Sequence, residues 1–577
     1  MSGKKLINKV EDVVDEALDG LTMINPGIRR IKGQRVLLRE TVDKKKVAIL
    51  SGGGSGHEPF CAGYIGTGML TAGVAGGVFA SPPTSSILEG IRAIATNNPA
   101  GALVLVINYT GDRINFGLAV EKARSEGLKV EMFVNGEDCS LTTADKTAGR
   151  RGLCGTMFIF KIVGAMAERG DSLDSILKAT RSISANMGTM GLSLGPCSLP
   201  GQGPLFKVAE DKIEMGLGVH GEAGVGEVSH TTANLAVKQI IDHMTKSDSA
   251  TRIDLRAGEK VAVILNNLGG TSKLEELIIA REVVMQLEGR GFKVVRLYAG
   301  HMMTSLEMSG FLISLLKVSD NLEWLELLDA PTSAPAWPAN LMSDNNRDRF
   351  NPEPVEPSSI KVDDWKMTGV KLNDAAAVKV QSILEEVART LQGLEAKLNL
   401  LDSGSGDGDC GSTHAVGAKA LLEGLAGLDC NHPWILLQQL GVLAERMGGS
   451  SGGVYSLLFT GAARAFQDQV GGEVDPLAWV RALRFGLETV MKYGGAEPGD
   501  RTMIDALYPA LLVLEETGGK TGSLTAAGEA ALTGAKKTAT MVARAGRASY
   551  VSRDKVSEED PGAVAAAAWF NVITSNL

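Results

Sequence analysis

Apolar residues in the first 330 positions come in short runs that end in glycine, each followed by a longer segment with helical spacing. Val47-Ala48-Ile49-Leu50 reads as a strand running into the glycine-rich turn Ser51-Gly52-Gly53-Gly54-Ser55-Gly56-His57-Glu58-Pro59. Leu103 to Ile107 reads as another strand, leading into Asn108-Tyr109-Thr110-Gly111-Asp112-Arg113, a helix from Ile114 to Glu126 and a strand from Val130 to Val134. Such alternation signals a parallel sheet with crossover helices. Helical segments at about Leu153 to Arg169 and Leu173 to Met187 follow. A second unit comes after them, with strand Val261 to Leu265, a turn at Asn266 to Gly270, helix Lys273 to Leu287 and strand Lys293 to Tyr298. The pattern predicts a first domain over residues 1–336 made of two α/β subdomains.

From Pro331 to Trp365 the periodicity fails and prolines accumulate, which predicts an inter-domain linker, assigned to residues 337–371. A proline-rich tether extends by about 3.1 Å per residue. Beyond Asn373 strand patterns vanish. Helical runs at Ala375 to Leu400, Thr413 to Leu425, Trp434 to Met447, Val454 to Ala465, Ala478 to Lys492, Met503 to Leu514, Leu524 to Met541 and Pro561 to Ile573 predict an all-α domain over residues 372–577.

Composition narrows the function classes. A chain of 577 residues exceeds what one core organises, and 70 glycines among 44% hydrophobic and 22% charged residues suit an ordered, loop-rich enzyme. The formal net charge of −9, without a long basic run, argues against nucleic acid and against a polybasic membrane surface as partners. No secretory signal is visible at the start, no apolar stretch is long enough to span a bilayer, and the six scattered cysteines form no Cys-x-x-Cys pair. These features predict a cytosolic protein with reduced thiols and no zinc site.

The sharpest chemical signal is Leu401-Asp402-Ser403-Gly404-Ser405-Gly406-Asp407-Gly408-Asp409-Cys410-Gly411-Ser412-Thr413-His414. Three carboxylates packed between glycines repel one another unless a hard cation joins them, so Asp402, Asp407 and Asp409 read as a Mg²⁺ site. Because Mg²⁺ commonly shares its shell with substrate phosphates, a nucleotide is expected beside it. A solvated turn is the alternative reading of the same composition. Three further clusters, Met447 to Gly452, Gly494 to Thr502 and Arg544 to Tyr550, suit phosphate at helix N-termini or plain helix caps, with Arg501 and Arg547 as possible sources of positive charge. In the first domain the glycines at 51–59 match neither a dinucleotide fingerprint nor a P-loop and suit a small ligand against bare backbone. Asp112 is expected at a strand's carboxyl end, facing the same crevice as His57. His220, bracketed in Gly216-Leu217-Gly218-Val219-His220-Gly221-Glu222-Ala223-Gly224, reads as open to a ligand. His230, His243, His301 and His432 read as surface or structural groups.

Taken together, Ser51 to Pro59, Asn108 to Asp112, Gly218 to Gly224, Gly406 to Gly411, Met447 to Gly452, Pro498 to Thr502 and Gly546 to Tyr550 resemble the ATP-dependent dihydroxyacetone kinase family. The likeness is greatest to its bifunctional animal members, in which triokinase and FMN cyclase activities share one chain. The resemblance implies an α/β K domain for a short ketone or aldehyde and an eight-helix barrel L domain for Mg·ATP. It also implies a homodimer in which the L domain faces the K domain of the other subunit. By this resemblance His220 forms a hemiaminal with the substrate carbonyl, His57 and Asp112 act as acid and base, and Gly54, Ser55 and Gly56 line the substrate. Asp402, Asp407 and Asp409 hold the metal. ATP lies against Asp409, Cys410, Gly411, Ser412, Gly448, Gly449, Ser450, Ser451, Gly499, Asp500, Arg501, Asp560, Pro561 and Gly562. The implied substrates are dihydroxyacetone, D-glyceraldehyde, ATP and FAD, with Mg²⁺ for the kinase and Mn²⁺ or Co²⁺ for the cyclase. The competing reading is a catalytically silent regulatory protein of the same fold, which the retained His220 and three aspartates oppose. One departure is Ile107, where many family members carry a substrate-contacting lysine.

Overall fold

The first strand does not stop where glycine was expected to end it. In a computed structural model that describes residues 4–141, 149–342, 370–404, 406–467, 474–550 and 558–577, it runs from Ala48 to Ser55, so the turn begins only at Gly56. The glycines are strand residues for a packing reason. A Cβ on Gly52 would stand 2.4 Å from the carbonyl oxygen of Val74 on the neighbouring strand and 2.8 Å from the Phe116 ring.

That strand lies inside a six-stranded sheet ordered Ile28–Arg30, Val36–Arg39, Ala72–Val78, Ala48–Ser55, Ala102–Ile107, Val130–Asn135. The last four strands run parallel, and the first two form an antiparallel edge. Both faces are covered. Leu50, Val74, Val104 and Val106 pack under helices Thr84–Ala95 and Thr110–Ser125, while Ile49, Leu103, Leu105 and Ile107 join the opposite core. Burial on both faces explains why these strands appear as unbroken apolar runs.

A second sheet is ordered Lys293–Gly300, Lys260–Asn267, Gly310–Lys317, Met187–Ser193, Lys212–Met215, Gly226–Ser229, and only its first pair is parallel. Helix Thr156–Arg169 is buried at every position from Thr156 to Ala167, and its core holds residues of both sheets. A helix apolar on all sides belongs in an interior.

Two expectations for this half need correction. The helix beginning at Leu173 ends at Ala185, and Met187 opens a strand. There Gly191 approaches Phe311 so closely that a Cβ would meet its carbonyl at 2.0 Å. The linker also starts later than its composition suggested. Ala334 is buried, Trp337 packs on Tyr298 at 4.6 Å, and the Leu341 amide donates to the Leu297 carbonyl at 2.8 Å, so the stretch from Pro331 to Met342 is strapped onto the α/β unit. The remainder of the expected linker, 343–369, lies outside the described residues.

The chain divides into two compact units, Met1–Glu353 and Pro354–Leu577. The second has nine α-helices among the described residues, because the first expected helix is split at Leu394 into Asp374–Gly393 and Glu395–Asp402. Leaving aside the short Glu395–Asp402, eight helices form a ring. Asp374–Gly393 packs on Cys410–Gly424, and contacts continue through Pro433–Glu445, Gly449–Gln467, Pro476–Gly494, Met503–Thr517 and Leu524–Lys537 to Pro561–Asn576, which returns to Asp374–Gly393. The ring encloses an apolar cavity of about 570 Å³ lined by residues such as Leu384, Leu440, Leu458 and Trp569. Among the described residues no helix is long and apolar enough to cross a membrane.

The close packing at Gly52 yields a test. Gly52→Ala is expected to destabilise the α/β unit by about 1–3 kcal/mol, as overpacked cores do. An unchanged midpoint of urea unfolding would show that the sheet can relax around the added methyl.

Candidate active site

In the α/β unit the chain order hides a cluster that the fold assembles. His57 follows the strand Ala48–Ser55, and His220 sits on the loop after the strand Lys212–Met215. Their Nε2 atoms stand 3.0 Å apart. His57 is fully buried, its Nδ1–H donates to the Thr304 carbonyl at 2.8 Å, and its ring stacks on Phe79 with centroids 4.8 Å apart. Burial, and then the charge of His220, push its pKa down to about 3, so it is neutral at physiological pH. His220 is met edge-on by three rings, His57, Phe79 and Tyr109, at 4.7 to 5.0 Å.

On its other side His220 is held by its own loop. Nδ1 lies 2.6 Å from Oε1 of Glu222, and the His220 amide donates to Oε2 of the same carboxylate at 3.1 Å. Burial alone would raise the Glu222 carboxyl, but the hydrogen bond and charge of His220 reverse that and leave it at about 2. Arg151 fixes the loop from behind. Its guanidinium donates to the carbonyls of Gly216 and Glu222 and to the Ser140 hydroxyl, and pairs with Asp138 at 2.7 Å. A planar head with five donors suits this bridging task, which a lysine could not reproduce.

Asp112 lies in the first turn of helix Thr110–Ser125, buried, and accepts from the Ser81 hydroxyl at 2.6 Å. Burial raises its carboxyl, while Ser81 and the charge of His220 pull the other way. Gly54 and Gly56 press against the segment that carries Phe79. A Cβ on Gly54 would meet the Ala80 nitrogen at 2.9 Å, and one on Gly56 the Phe79 ring at 2.8 Å. The Ser55 hydroxyl is committed to the Gly76 carbonyl. A cavity of about 730 Å³ opens along Gly53, Gly54 and Ser55 beside helix Val13–Ile24, but His57, Asp112 and His220 do not line it. Ile107 is buried in the core beneath Gly53.

In the helical unit, Asp402 ends helix Glu395–Asp402 and gathers the acidic loop. Its Oδ2 accepts from the amides of Gly408, Asp409 and Cys410 at 3.0, 3.0 and 3.2 Å. Gly406 must be bare here, since a Cβ would fall 2.2 Å from Oδ1 of Asp402. The result brings one oxygen from each of Asp402, Asp407 and Asp409 within 4.8 Å of one another. Mg²⁺ holds oxygens at about 2.1 Å, so one ion fits this set after small side-chain adjustments.

The remaining expected nucleotide positions divide by environment. Gly448, Gly449 and Ser450 are exposed where helix Gly449–Gln467 begins, and Ser451 is half-buried in the same turn. Cys410, Gly411 and Ser412 open helix Cys410–Gly424, but Gly411 packs on the Glu395 carbonyl and Ser412 bonds to Asn399 and Glu395. Gly499 donates to Asp505, and Asp500 accepts from Glu497. Arg501 was expected to offer charge to an anion. It is 1% exposed and turns inward, donating to the Glu558 carbonyl at 2.8 Å and lying 3.5 Å from Asp560. Asp560 caps helix Pro561–Asn576 at the Ala563 amide, with Pro561 and Gly562 in the first turn. Burial raises its carboxyl to about 6, against the pull of Arg501, and the charge of Asp402 adds to the rise, which puts the 402, 501 and 560 loops in one electrostatic neighbourhood. Beneath them the Tyr455 hydroxyl accepts from Trp569 at 3.2 Å and lies 3.3 Å from Nε2 of His414, whose Nδ1–H donates to the Cys410 carbonyl. The side chain of Arg547 lies outside the described residues.

Sequence reasoning missed the supporting groups. Glu222 stood two positions from His220 in a quoted motif and could have been found there. Thr304, 247 positions from His57, carries no local signal.

Residues 19–336 match the Dak1 domain and residues 405–575 the DAK2 domain. Triokinase/FMN cyclase of Homo sapiens is 46% identical over 586 residues, covering 100% of both chains. Dihydroxyacetone kinase of Pichia angusta is 37% identical, covering 97% of this chain and 96% of that protein. Among solved structures, the dihydroxyacetone kinase from C. freundii in complex with AMP-PNP and Mg²⁺ is similar, with a TM-score of 0.73 and 33% identity over 100% of each chain.

The acidic loop can be tested without substrate. Asp402→Ala removes the acceptor of three amides, so Gly408, Asp409 and Cys410 are expected to exchange hydrogen roughly fivefold to tenfold faster, about 1 kcal/mol per lost bond. Unchanged protection would mean that the loop is held by something other than Asp402.

Proposed function

Because this chain belongs to the dihydroxyacetone kinase family, with a Dak1 and a DAK2 domain in one polypeptide, we propose that it phosphorylates dihydroxyacetone and D-glyceraldehyde with ATP. In a second activity it cleaves FAD to cyclic FMN and AMP. The observation that carries the first activity is the clamped histidine. Glu222 occupies Nδ1 of His220, which directs Nε2 at the ring cluster where a substrate carbonyl would enter. Nε2 adds to that carbonyl and holds the substrate as a hemiaminal. The requirement for a carbonyl selects short ketones and aldehydes over glycerol, and attachment fixes the terminal hydroxyl for transfer.

Asp112, held by Ser81, takes the proton of the hydroxyl that is phosphorylated. Asp402, Asp407 and Asp409 would hold Mg²⁺, which offsets negative charge on the phosphates of ATP and of FAD. Phosphoryl transfer needs chiefly such positioning and charge neutralisation. The open N-terminus of helix Gly449–Gln467 offers amides to phosphate, while Arg501 fixes the 558–560 segment instead of facing the anion. With this reading go a homodimer and Mn²⁺ or Co²⁺ in the FAD reaction.

One substitution separates the activities and another lowers both. His220→Ala is expected to abolish dihydroxyacetone phosphorylation while sparing FAD cleavage, because only the carbonyl substrate needs the imidazole; an active kinase in steady-state assays would rule out covalent attachment. Asp407→Asn keeps size but removes a charge. Both activities should fall together, on the order of a hundredfold, as reacting groups are misplaced by about 1 Å. Survival of either activity at saturating Mg²⁺ or Mn²⁺ would remove the acidic loop from the shared site.

A further inference from the structure

A neutral imidazole has one N–H and one lone pair. His57 places Nδ1 against the Thr304 carbonyl, which only accepts, so its proton is on Nδ1 and Nε2 carries the lone pair. His220 places Nδ1 against Glu222, so its proton is likewise on Nδ1. Yet the two Nε2 atoms face each other at 3.0 Å, a hydrogen-bond distance at which two lone pairs would repel. One more proton resolves the geometry. Drawing it on Glu222 instead, with the carboxyl donating to Nδ1 and the other nitrogen of His220 donating to His57, leaves the total unchanged.

We propose that the resting site carries one proton beyond its neutral imidazoles and ionised carboxylate, shared along the line between the two Nε2 atoms. Glu222 is the positioning residue that keeps it there, and this proton ends on the carbinol oxygen when a substrate carbonyl adds to His220. The last clause rests on the covalent reading above. Both nitrogens of His220 face acceptors, the Glu222 carboxylate at Nδ1 and the lone pair of His57 at Nε2. Glu222 stays ionised down to about pH 2, and His57 accepts a proton only near pH 3. Asp112 faces the cluster from helix Thr110–Ser125, and Phe79 and the uncharged phenol Tyr109 wall the remaining sides. The opposing charge, Arg151, is paired with Asp138 behind the loop.

The step balances within the cluster. On substrate entry the Nε2 proton of His220 passes to Nε2 of His57. The freed lone pair forms the bond to the carbonyl carbon, the π pair moves to oxygen, and oxygen takes the proton from His57. An N-alkylated imidazolium remains, its Nδ1–H still on the Glu222 carboxylate. Charge is conserved, and no proton is drawn from water.

The test uses full-length protein labelled with ¹⁵N-histidine, with His220 and His57 assigned by substitution. At neutral pH without substrate, His220 is expected to show a protonated Nε2 and His57 a neutral Nδ1–H ring; two neutral rings each protonated at Nδ1 alone would overturn the proposal. In Glu222→Gln the amide oxygen still accepts from Nδ1–H but the charge is gone, so His220 should become neutral and KM for dihydroxyacetone should rise about tenfold or more. A cationic His220 and an unchanged KM in that variant would remove Glu222 from the role. Calorimetry of dihydroxyacetone binding in buffers of different ionisation heat should find no net proton exchange; uptake of one proton would contradict the stored-proton step. Dihydroxyacetone labelled with ¹³C at the carbonyl reports attachment independently. If its carbon never becomes tetrahedral, the covalent reading fails while the resting histidine spectra still decide where the proton lies.

Discussion

Backbone approaching backbone more closely than a methyl group allows is the constraint on which both units depend. Gly52 lies against the Val74 carbonyl, Gly191 against that of Phe311, Gly66 against the Ala334 nitrogen, and Gly411 against the Glu395 carbonyl. Each contact sets a spacing on which the next layer relies. The first aligns the strand that delivers His57, and the last seats helix Cys410–Gly424 against the helix that ends in Asp402. Glycine richness in this chain is therefore largely a packing device. A ligand needs bare backbone at only a few of these positions.

This explains what could and could not be read from residues alone. Strands such as Ala102–Ile107 were legible because burial on both faces makes every position apolar. Met187–Ser193 was not, since its Gly191 answers to a partner strand more than a hundred positions later. The helices of the second unit kept their 3.6-residue stripes and were found, apart from the break at Leu394, where no proline marks the split. Proline density misled at Pro331 to Met342, because a strap and a free tether share the same composition. The acidic cluster was legible since all three carboxylates lie within eight positions. The histidine pair was only half so, as the groups that orient it come from 222 and 304.

The two sites arrange their charges differently. In the α/β unit two acids each face one nitrogen base: Glu222 the imidazole of His220, Asp138 the guanidinium of Arg151. Such pairing suits a site where a proton must move while total charge stays fixed. In the helical unit three acids converge within one loop, and Arg501 in the same unit is committed to Asp560 and the Glu558 carbonyl. There the amide dipoles of Gly408, Asp409 and Cys410 converge on Asp402.

The ring of eight helices closes between segments almost two hundred residues apart, Pro561–Asn576 against Asp374–Gly393. During synthesis seven of its staves emerge before the eighth, and a barrel lacking one stave has an open seam along its apolar interior. The nascent unit therefore cannot gain stability gradually, helix by helix. It waits for a late, long-range contact to close its apolar interior, which makes the interval before the last stave is synthesised the time of greatest exposure to aggregation and to chaperones.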